Sequence, residues 1–283
     1  MTYKEAVALL KNAGIGSADY DARELFRHFG GFSRSEIFLS NPECHSEELL
    51  SAIERRASRE PLQYIIGEVE FYRESYKLTP DCLIPRADTE ILVDYAVRNL
   101  PEGALFLDLC TGSGCVAIST LNNTKNTRCI AVDIDGGALA VAEENAHRNG
   151  VGDRIHLRRL DLMSEVVDED VFAVLSNPPY VSESVYLTLE GEIFAEPKQA
   201  FVGGEDGGDF YRHFTPIYKE KIKDDGFIAY EIGFDQAEML QTIAAENNMT
   251  CRIIKDYGAR DRVAVLRKPS PLIGGEGGGE ADG

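Results

Sequence analysis

Residues 105–114 read Leu-Phe-Leu-Asp-Leu-Cys-Thr-Gly-Ser-Gly, a short apolar run ending in two glycines one residue apart. Leu105–Leu109 has the length and composition of a buried strand, and a helical pattern, Cys115–Leu121, follows it directly. Strand, tight turn and helix in that order open a βαβ unit. Gly112 and Gly114 let the chain turn sharply and let a ligand approach the backbone closely.

Outward from this turn the same alternation continues. Cys129–Asp133, Ile155–Leu160, Phe172–Ser176 and Phe227–Ile232 read as strands, and Cys251–Ile254 and Val263–Leu266 as two closing ones. Ile91–Leu100, Gly137–Asn149, Phe210–Lys223 and Gln236–Asn247 read as helices. The pattern predicts an α/β fold, a seven-stranded, mostly parallel sheet with helices on both faces. Upstream, the chain reads as a small helical bundle. Tyr3–Lys11 is one helix; Asp19 or Asp21 starts a second, Ser33 a third, and Ser46 a fourth that runs to Arg59. A β-hairpin, Val69–Tyr72 against Tyr76–Leu78, then joins bundle to sheet. The expected division is a helical substrate-docking domain at 1–75, a hairpin and linker at 76–86, a catalytic domain at 87–268, and a disordered Gly-rich acidic tail at 269–283.

The formal net charge is −19, of which residues 1–75 carry −4 (9 basic against 13 acidic) and the rest −15 (20 against 35). Such a field repels a phosphate backbone, so no direct nucleic-acid binding is expected, and a basic protein partner fits it better. No stretch has the length of a membrane span, and the N-terminus, with Glu5 among short apolar runs, does not read as a signal peptide. The six cysteines form no Cys-x-x-Cys pair, and the five histidines share no ligand spacing. Reduced thiols in the cytoplasm and no bound metal are the expectation.

The candidate site lies at the carboxyl ends of the strands. Cys110, Thr111, Gly112, Ser113 and Gly114 form the turn after the first strand. The second strand ends in Asp133, suited to both hydroxyls of a ribose, and the third in Asp161-Leu162, a carboxylate and an apolar side chain suited to an adenine. Gly112-x-Gly114-x-x-Ala117 also satisfies a relaxed dinucleotide pattern, so the glycines alone fit a nicotinamide as well as an S-adenosylmethionine enzyme. Asp108 favours S-adenosylmethionine: it is placed to contact an amino-acid end and would repel a pyrophosphate.

The fourth strand runs into Asn177-Pro178-Pro179-Tyr180. An amide or aromatic amine has a delocalised lone pair and is a poor nucleophile. Two acceptors on its N–H bonds strengthen as the nitrogen gains positive charge, so their effect falls on the transition state. The Asn177 side-chain oxygen and the Pro178 carbonyl are such acceptors. Each precedes a proline and is therefore confined to extended backbone, which makes a stiff pair. Tyr180 is expected to stack on the planar group.

Asn-Pro-Pro-Tyr after Asp-x-x-x-Gly-x-Gly resembles the Rossmann-like amino-methyltransferases, whose members act on adenine N6 or on glutamine N5. Further segments resemble the peptide chain release factor glutamine methyltransferases. They are Pro61–Phe71, Ile84–Glu90, Glu196-Pro197 with Gly203-Gly204-x-Asp206-Gly207, Glu231-Ile-Gly233, Asp256 and Arg260-Asp-Arg262. The resemblance runs to about Lys268. It implies S-adenosylmethionine as cofactor and the glutamine of a Gly-Gly-Gln loop in class 1 release factors as substrate, with adenine N6 as the alternative. It carries cofactor contacts to Cys110–Gly114, Asp133, Asp161-Leu162 and Asn177, and glutamine contacts to Asn177–Tyr180. Cys110 and Ala87 depart from it, standing where the family usually has glycine and proline. Arg86 reads equally as a surface ion-pair partner or a group near the site, and residues 181–209 as a lid more than as a plain connector.

Overall fold

The computed structural model describes residues 1–189 and 191–269. The expected disordered tail lies, from residue 270 on, outside the described residues.

Five helices come first: α1 (Tyr3–Asn12), α2 (Ala18–Gly30), α3 (Arg34–Ser40), α4 (Glu47–Ala57) and α5 (Leu62–Ile66). Their starts follow capping chemistry. Thr2 with Glu5, and Ser33 with Glu36, form reciprocal capping boxes, and the Ser46 hydroxyl accepts from the Leu49 N–H. α2 departs from the expectation. It begins at Ala18, and Asp21 is a buried ion-pair partner instead of a cap. The Asp21 carboxylate accepts from Arg56 Nε at 2.7 Å and from the Ser17 hydroxyl at 2.9 Å. Arg56 also donates to the Glu60 carbonyl and, at 2.6 Å, to Glu192, far along the chain. Leu10, Leu25, Phe26, Leu49 and Ile53 are fully buried at the centre of this bundle.

The hairpin pairs β1 (Glu68–Phe71) with β2 (Glu74–Lys77), with Val69 opposite Tyr76. A boundary at residue 75 thus falls inside its second strand. Phe71 and Tyr76 are buried in the same core as the helices beyond them, so the hairpin packs onto the sheet domain.

The sheet domain follows as α6 (Glu90–Asn99), β3 (Leu105–Leu109), α7 (Cys115–Asn122), β4 (Arg128–Asp133), α8 (Gly136–Arg148), β5 (Ile155–Arg159), β6 (Val171–Ser176), α9 (Glu183–Tyr186), α10 (Asp209–Tyr218), β7 (Ile222–Glu231), α11 (Ala237–Glu246), β8 (Thr250–Lys255) and β9 (Asp261–Arg267). The strand order is β5-β4-β3-β6-β7-β9-β8, parallel from β5 to β7 and antiparallel at β9 and β8. Successive strand residues alternate between two cores. Phe106, Ala131, Leu175 and Phe227 face α6 and α7, while Leu107, Val132, Val174 and Tyr230 face α10 and α11.

Two boundaries in the sheet domain differ from the sequence reading by more than two residues. α10 stops at Tyr218 instead of Lys223, and β7 begins at Ile222 instead of Phe227. Asp224-Asp225-Gly226 falls between the helix and the strand of the sequence reading. It is instead a bulge within one strand, because Ile222 pairs with Val171 and Phe227 with Ala173. Gly226 is required there, since a Cβ would lie 2.2 Å from the Phe172 carbonyl oxygen.

The chain runs from β3 outward through β4 to β5, then returns to the other side of β3 as β6. β3 and β6 therefore bracket the topological switch point, where open sheets of this kind form their ligand crevice. The glycine turn leaves β3 and the Asn-Pro turn leaves β6.

Candidate active site

A cleft opens at these two strand ends. Cys110–Ser113 form its floor, with Asp133, Ile134 and Asp135 along one side and Leu160–Met163 beyond them. Asn177 and Pro179 close the other side, and Pro197, Gln199, Ala200 and Val202 lie over it. Ile134 and Met163 are 49% and 43% exposed, two apolar faces turned to an open cleft next to two carboxylates.

The floor is held by its own acids. Asp133 accepts from the Gly112 N–H at 2.8 Å and from the Asp135 N–H at 3.0 Å, and burial raises its carboxyl above the usual range. Cys110 has φ +61° and Gly112 φ +54°. A left-handed backbone explains why glycine suits position 110, and a cysteine there carries strain of about 1–2 kcal/mol. Burial pushes the Cys110 thiol well above its ordinary pKa, so it stays protonated.

Asp108 takes a different place from the one expected. It does not line the cleft. Its carboxylate is 1% exposed and points under the loop, where Oδ2 accepts from the Thr111 hydroxyl at 2.6 Å and the Ala117 N–H at 3.2 Å. Gly114 also lies off the cleft, packed with its α-carbon toward Ala142. Burial pushes the Asp108 carboxyl up to about 7, against the two hydrogen bonds that lower it. A folded-state pKa above the unfolded one means that stability present near pH 4 is lost as pH rises through 7. Asp108→Asn keeps the acceptor and removes the ionisation. Without ligand, its unfolding free energy should match the parent's near pH 4 and exceed it by roughly 2–4 kcal/mol at pH 8. Urea midpoints at the two pH values check this; parallel pH dependence in both proteins would refute it.

The Asn177 Nδ2 donates to the buried Thr89 hydroxyl at 3.4 Å. Among the described residues no protein donor reaches Asn177 Oδ1 or the Pro178 carbonyl. Pro178 and Tyr180 do not line the cleft, and the Tyr180 hydroxyl is turned to Glu231, donating to Oε1 at 3.2 Å. The Tyr180 carbonyl accepts from Gln236 Nε2 at 2.9 Å. Gly203 and Gly207 complete the support. A Cβ on either would lie 2.2 Å from the Pro179 or Tyr180 carbonyl oxygen, so only glycine lets this strip pack on the turn. Sequence reasoning missed Thr89, Gln236 and the packing reason for these glycines.

Within the expected lid, residues 197–202 lie over the cleft. Val181 bridges to Val202, and Gln199 Nε2 donates to Asp135 at 3.0 Å. Arg86 pairs with Glu196, a buried carboxylate that also accepts from the Ile84 N–H at 3.0 Å. Arg86 thus lies on the cleft and pins the covering segment to it.

A glycine floor, carboxylates at the end of β4 and just beyond β5, an apolar shelf and an Asn-Pro turn across the switch point define a Rossmann-like, S-adenosylmethionine-dependent methyltransferase. Residues 87–209 match the family model described as methyltransferase small domain, and residues 2–67 the one described as PrmC N-terminal domain. The release factor glutamine methyltransferase of Thermodesulfovibrio yellowstonii is 36% identical to this chain, over 89% of it and 93% of its own length. The proteins of the same name from Moorella thermoacetica and Caulobacter vibrioides are 36% and 35% identical, over 91% and 93% of this chain. The chain belongs to the release factor glutamine methyltransferase family.

Proposed function

We propose that this protein methylates the side-chain amide nitrogen of the glutamine in the Gly-Gly-Gln motif of class 1 peptide chain release factors, in the cytoplasm, with S-adenosylmethionine as donor. One observation carries the chemistry: Asn177 lines the cleft with its Oδ1 free of any protein donor among the described residues. When bound, the cofactor supplies an electrophilic methyl group on a sulfonium sulfur. Asp133 holds the ribose hydroxyls and Asp161 the adenine amino group, while Ile134, Leu162 and Met163 cover the ring. Cys110–Ser113 give a close-fitting floor to the methionine portion. Asp108 acts beneath that floor, keeping Thr111 and the start of α7 in place.

Asn177 Oδ1 accepts one N–H bond of the glutamine amide, and the Pro178 carbonyl, beside the cleft wall and without a donor among the described residues, accepts the other as the amide enters. Their pull grows as the nitrogen becomes positive and pyramidal, which lowers the barrier without a general base. The methylated nitrogen then loses its proton to water. Labelled methyl transfer to a purified release factor, with mass spectrometry of its peptides, tests the assignment. Label on the motif glutamine supports it; label on methyladenine in nucleic acid and none on protein overturns it.

Asp133→Ala should weaken S-adenosylmethionine binding at least about tenfold, because a charge-assisted ribose contact is worth roughly 1.5–3 kcal/mol. The loss includes the freed Gly112 N–H, which Asp133 holds. Unchanged affinity by calorimetry would remove the ribose role.

A further inference from the structure

The cleft is roofed by a short strap, and its fastenings are unequal. Pro197, Gln199, Ala200 and Val202 lie over the floor. Both ends of the strap are fixed to the domain. At one end Glu196 is 5% exposed, accepts from the Ile84 N–H at 3.0 Å and pairs with Arg86. At the other, the Gly203 N–H donates to the Val181 carbonyl at 2.9 Å, and the Val181 N–H to the Phe201 carbonyl at 2.8 Å. Gly203 is itself packed tight, because a Cβ there would lie 2.2 Å from the Pro179 carbonyl oxygen.

Between these anchors the strap is one 3-10 turn, Lys198–Ala200, that bonds to itself. The Ala200 N–H donates to the Pro197 carbonyl and the Phe201 N–H to the Lys198 carbonyl. Such a turn can lift as a unit without losing its own bonds. Lys198 reaches α9 instead of the cleft, contacting Glu183 at 3.4 Å and the face of Tyr186. Among the described residues, one side-chain hydrogen bond joins this turn to the far wall of the cleft. It runs from Gln199 Nε2 to Asp135 Oδ2 at 3.0 Å.

The acceptor is preset. Asp135 Oδ1 takes the Gly137 N–H at 2.7 Å and the Ala138 N–H at 3.0 Å, which caps α8 and leaves Oδ2 for Gln199. The bond to Gln199 is exposed, so water competes for both partners and its net worth is small. A contact of that strength keeps a flap shut most of the time and still yields readily. Asp135 stands two residues beyond Asp133, so the strap crosses the cleft at the ribose of the cofactor as placed above.

We propose that the Gln199–Asp135 hydrogen bond is a latch, and that the Pro197–Val202 strap lifts on its release to let S-adenosylmethionine in and S-adenosylhomocysteine out. The latch sets how often the cleft is open and leaves the grip of the floor and walls unchanged. Weakening it therefore speeds entry and exit by the same factor, and affinity stays where it was. Loss of a direct cofactor contact behaves differently, since it speeds exit and weakens binding in proportion.

The test compares Gln199→Ala, Gln199→Glu and Gln199→Arg in the full chain. Alanine removes the latch, glutamate sets carboxylate against carboxylate, and arginine sets a guanidinium against Asp135, a stronger pairing. Residue 199 is exposed, so these changes leave the core intact. The probe is S-adenosylhomocysteine, which has no net charge and is not steered by a new charge at position 199. No methyl acceptor is present, so the outcome is independent of whether glutamine is the substrate. The readouts are association and dissociation rates by surface plasmon resonance and affinity by calorimetry. Gln199→Ala should speed both rates about fivefold, the worth of one net hydrogen bond, and Gln199→Glu at least as much. Gln199→Arg should slow both by about two- to fivefold. Affinity should stay within about twofold throughout. The latch is overturned if Gln199→Ala keeps the parent rates, or if Gln199→Arg speeds exchange as alanine does. A rise in dissociation alone, with affinity falling to match, would also overturn it and make Gln199 a direct cofactor contact.

Discussion

Asn177→Ala should bind S-adenosylmethionine nearly as well as the parent and turn over on the order of 10²–10³ times more slowly. The size follows from where the lost interaction acts. Before reaction the glutamine amide is neutral, and an N–H bond to Asn177 Oδ1 is an ordinary hydrogen bond, worth about 1 kcal/mol net. At the transition state the nitrogen carries positive charge, so the same contact becomes charge-assisted and roughly doubles in strength. It also acts in a cleft covered by residues 197–202, where solvent does not compensate for it. Removing a preorganised donor or acceptor of this kind typically raises a barrier by about 2.7–4 kcal/mol. The loss should appear in kcat more than in KM, because the ground state loses little. Single-turnover methylation beside calorimetry separates the two. A variant within about threefold of the parent rate would show that Asn177 is not the acceptor.

Much of this site is legible in the chain because of what the strand ends must do. Asp133, Asp161 and Asn177 each follow a strand-like run, and a parallel sheet puts such residues along one edge. The glycine turn announces itself by spacing. The layer arrangement follows from the alternation of patterns, and seven strands appear where seven runs occur. What the chain conceals is direction. Asp108 sits one residue before the end of its strand, and pleating turns it under the floor instead of into the cleft. Tyr180 follows two prolines in a loop, and nothing local shows that its hydroxyl goes to Glu231. Thr89 lies 88 positions from its partner Asn177 in sequence, so only the fold reveals the contact. The polar Asp224-Asp225-Gly226 run imitates a turn because bulges and turns draw on the same residue types. Asp21 likewise imitates a helix starter, since an acid in a first turn is favourable whether exposed or buried.

Arg56→Met should destabilise the N-terminal bundle by about 3–5 kcal/mol, while Asp21→Leu combined with Arg56→Met recovers most of that loss. The Arg56 and Asp21 side chains are each only 3% exposed. Removing the guanidinium strands a carboxylate inside an apolar bundle, with the Ser17 hydroxyl as its remaining partner. The penalty is thus the isolated charge, not the worth of the pair, and an apolar replacement of both partners removes it. Arg56 has a second task that the double variant does not restore. Its Nη2 reaches Glu192, 136 residues on, at the edge of the segment folded over the cleft. The same segment is pinned at Glu196 by Arg86 and at Gln199 by Asp135. With Glu192 released, the covering segment keeps two of these three ties. Bundle stability should therefore return in the double variant while the KM for the release factor stays raised, by a few-fold, as for loss of one partly buried charge contact of about 1 kcal/mol. Calorimetric unfolding and steady-state kinetics on the same preparations distinguish the two tasks. A double variant as unstable as Arg56→Met would show that the bundle needs the ion pair itself, and an unchanged KM would confine Arg56 to the bundle.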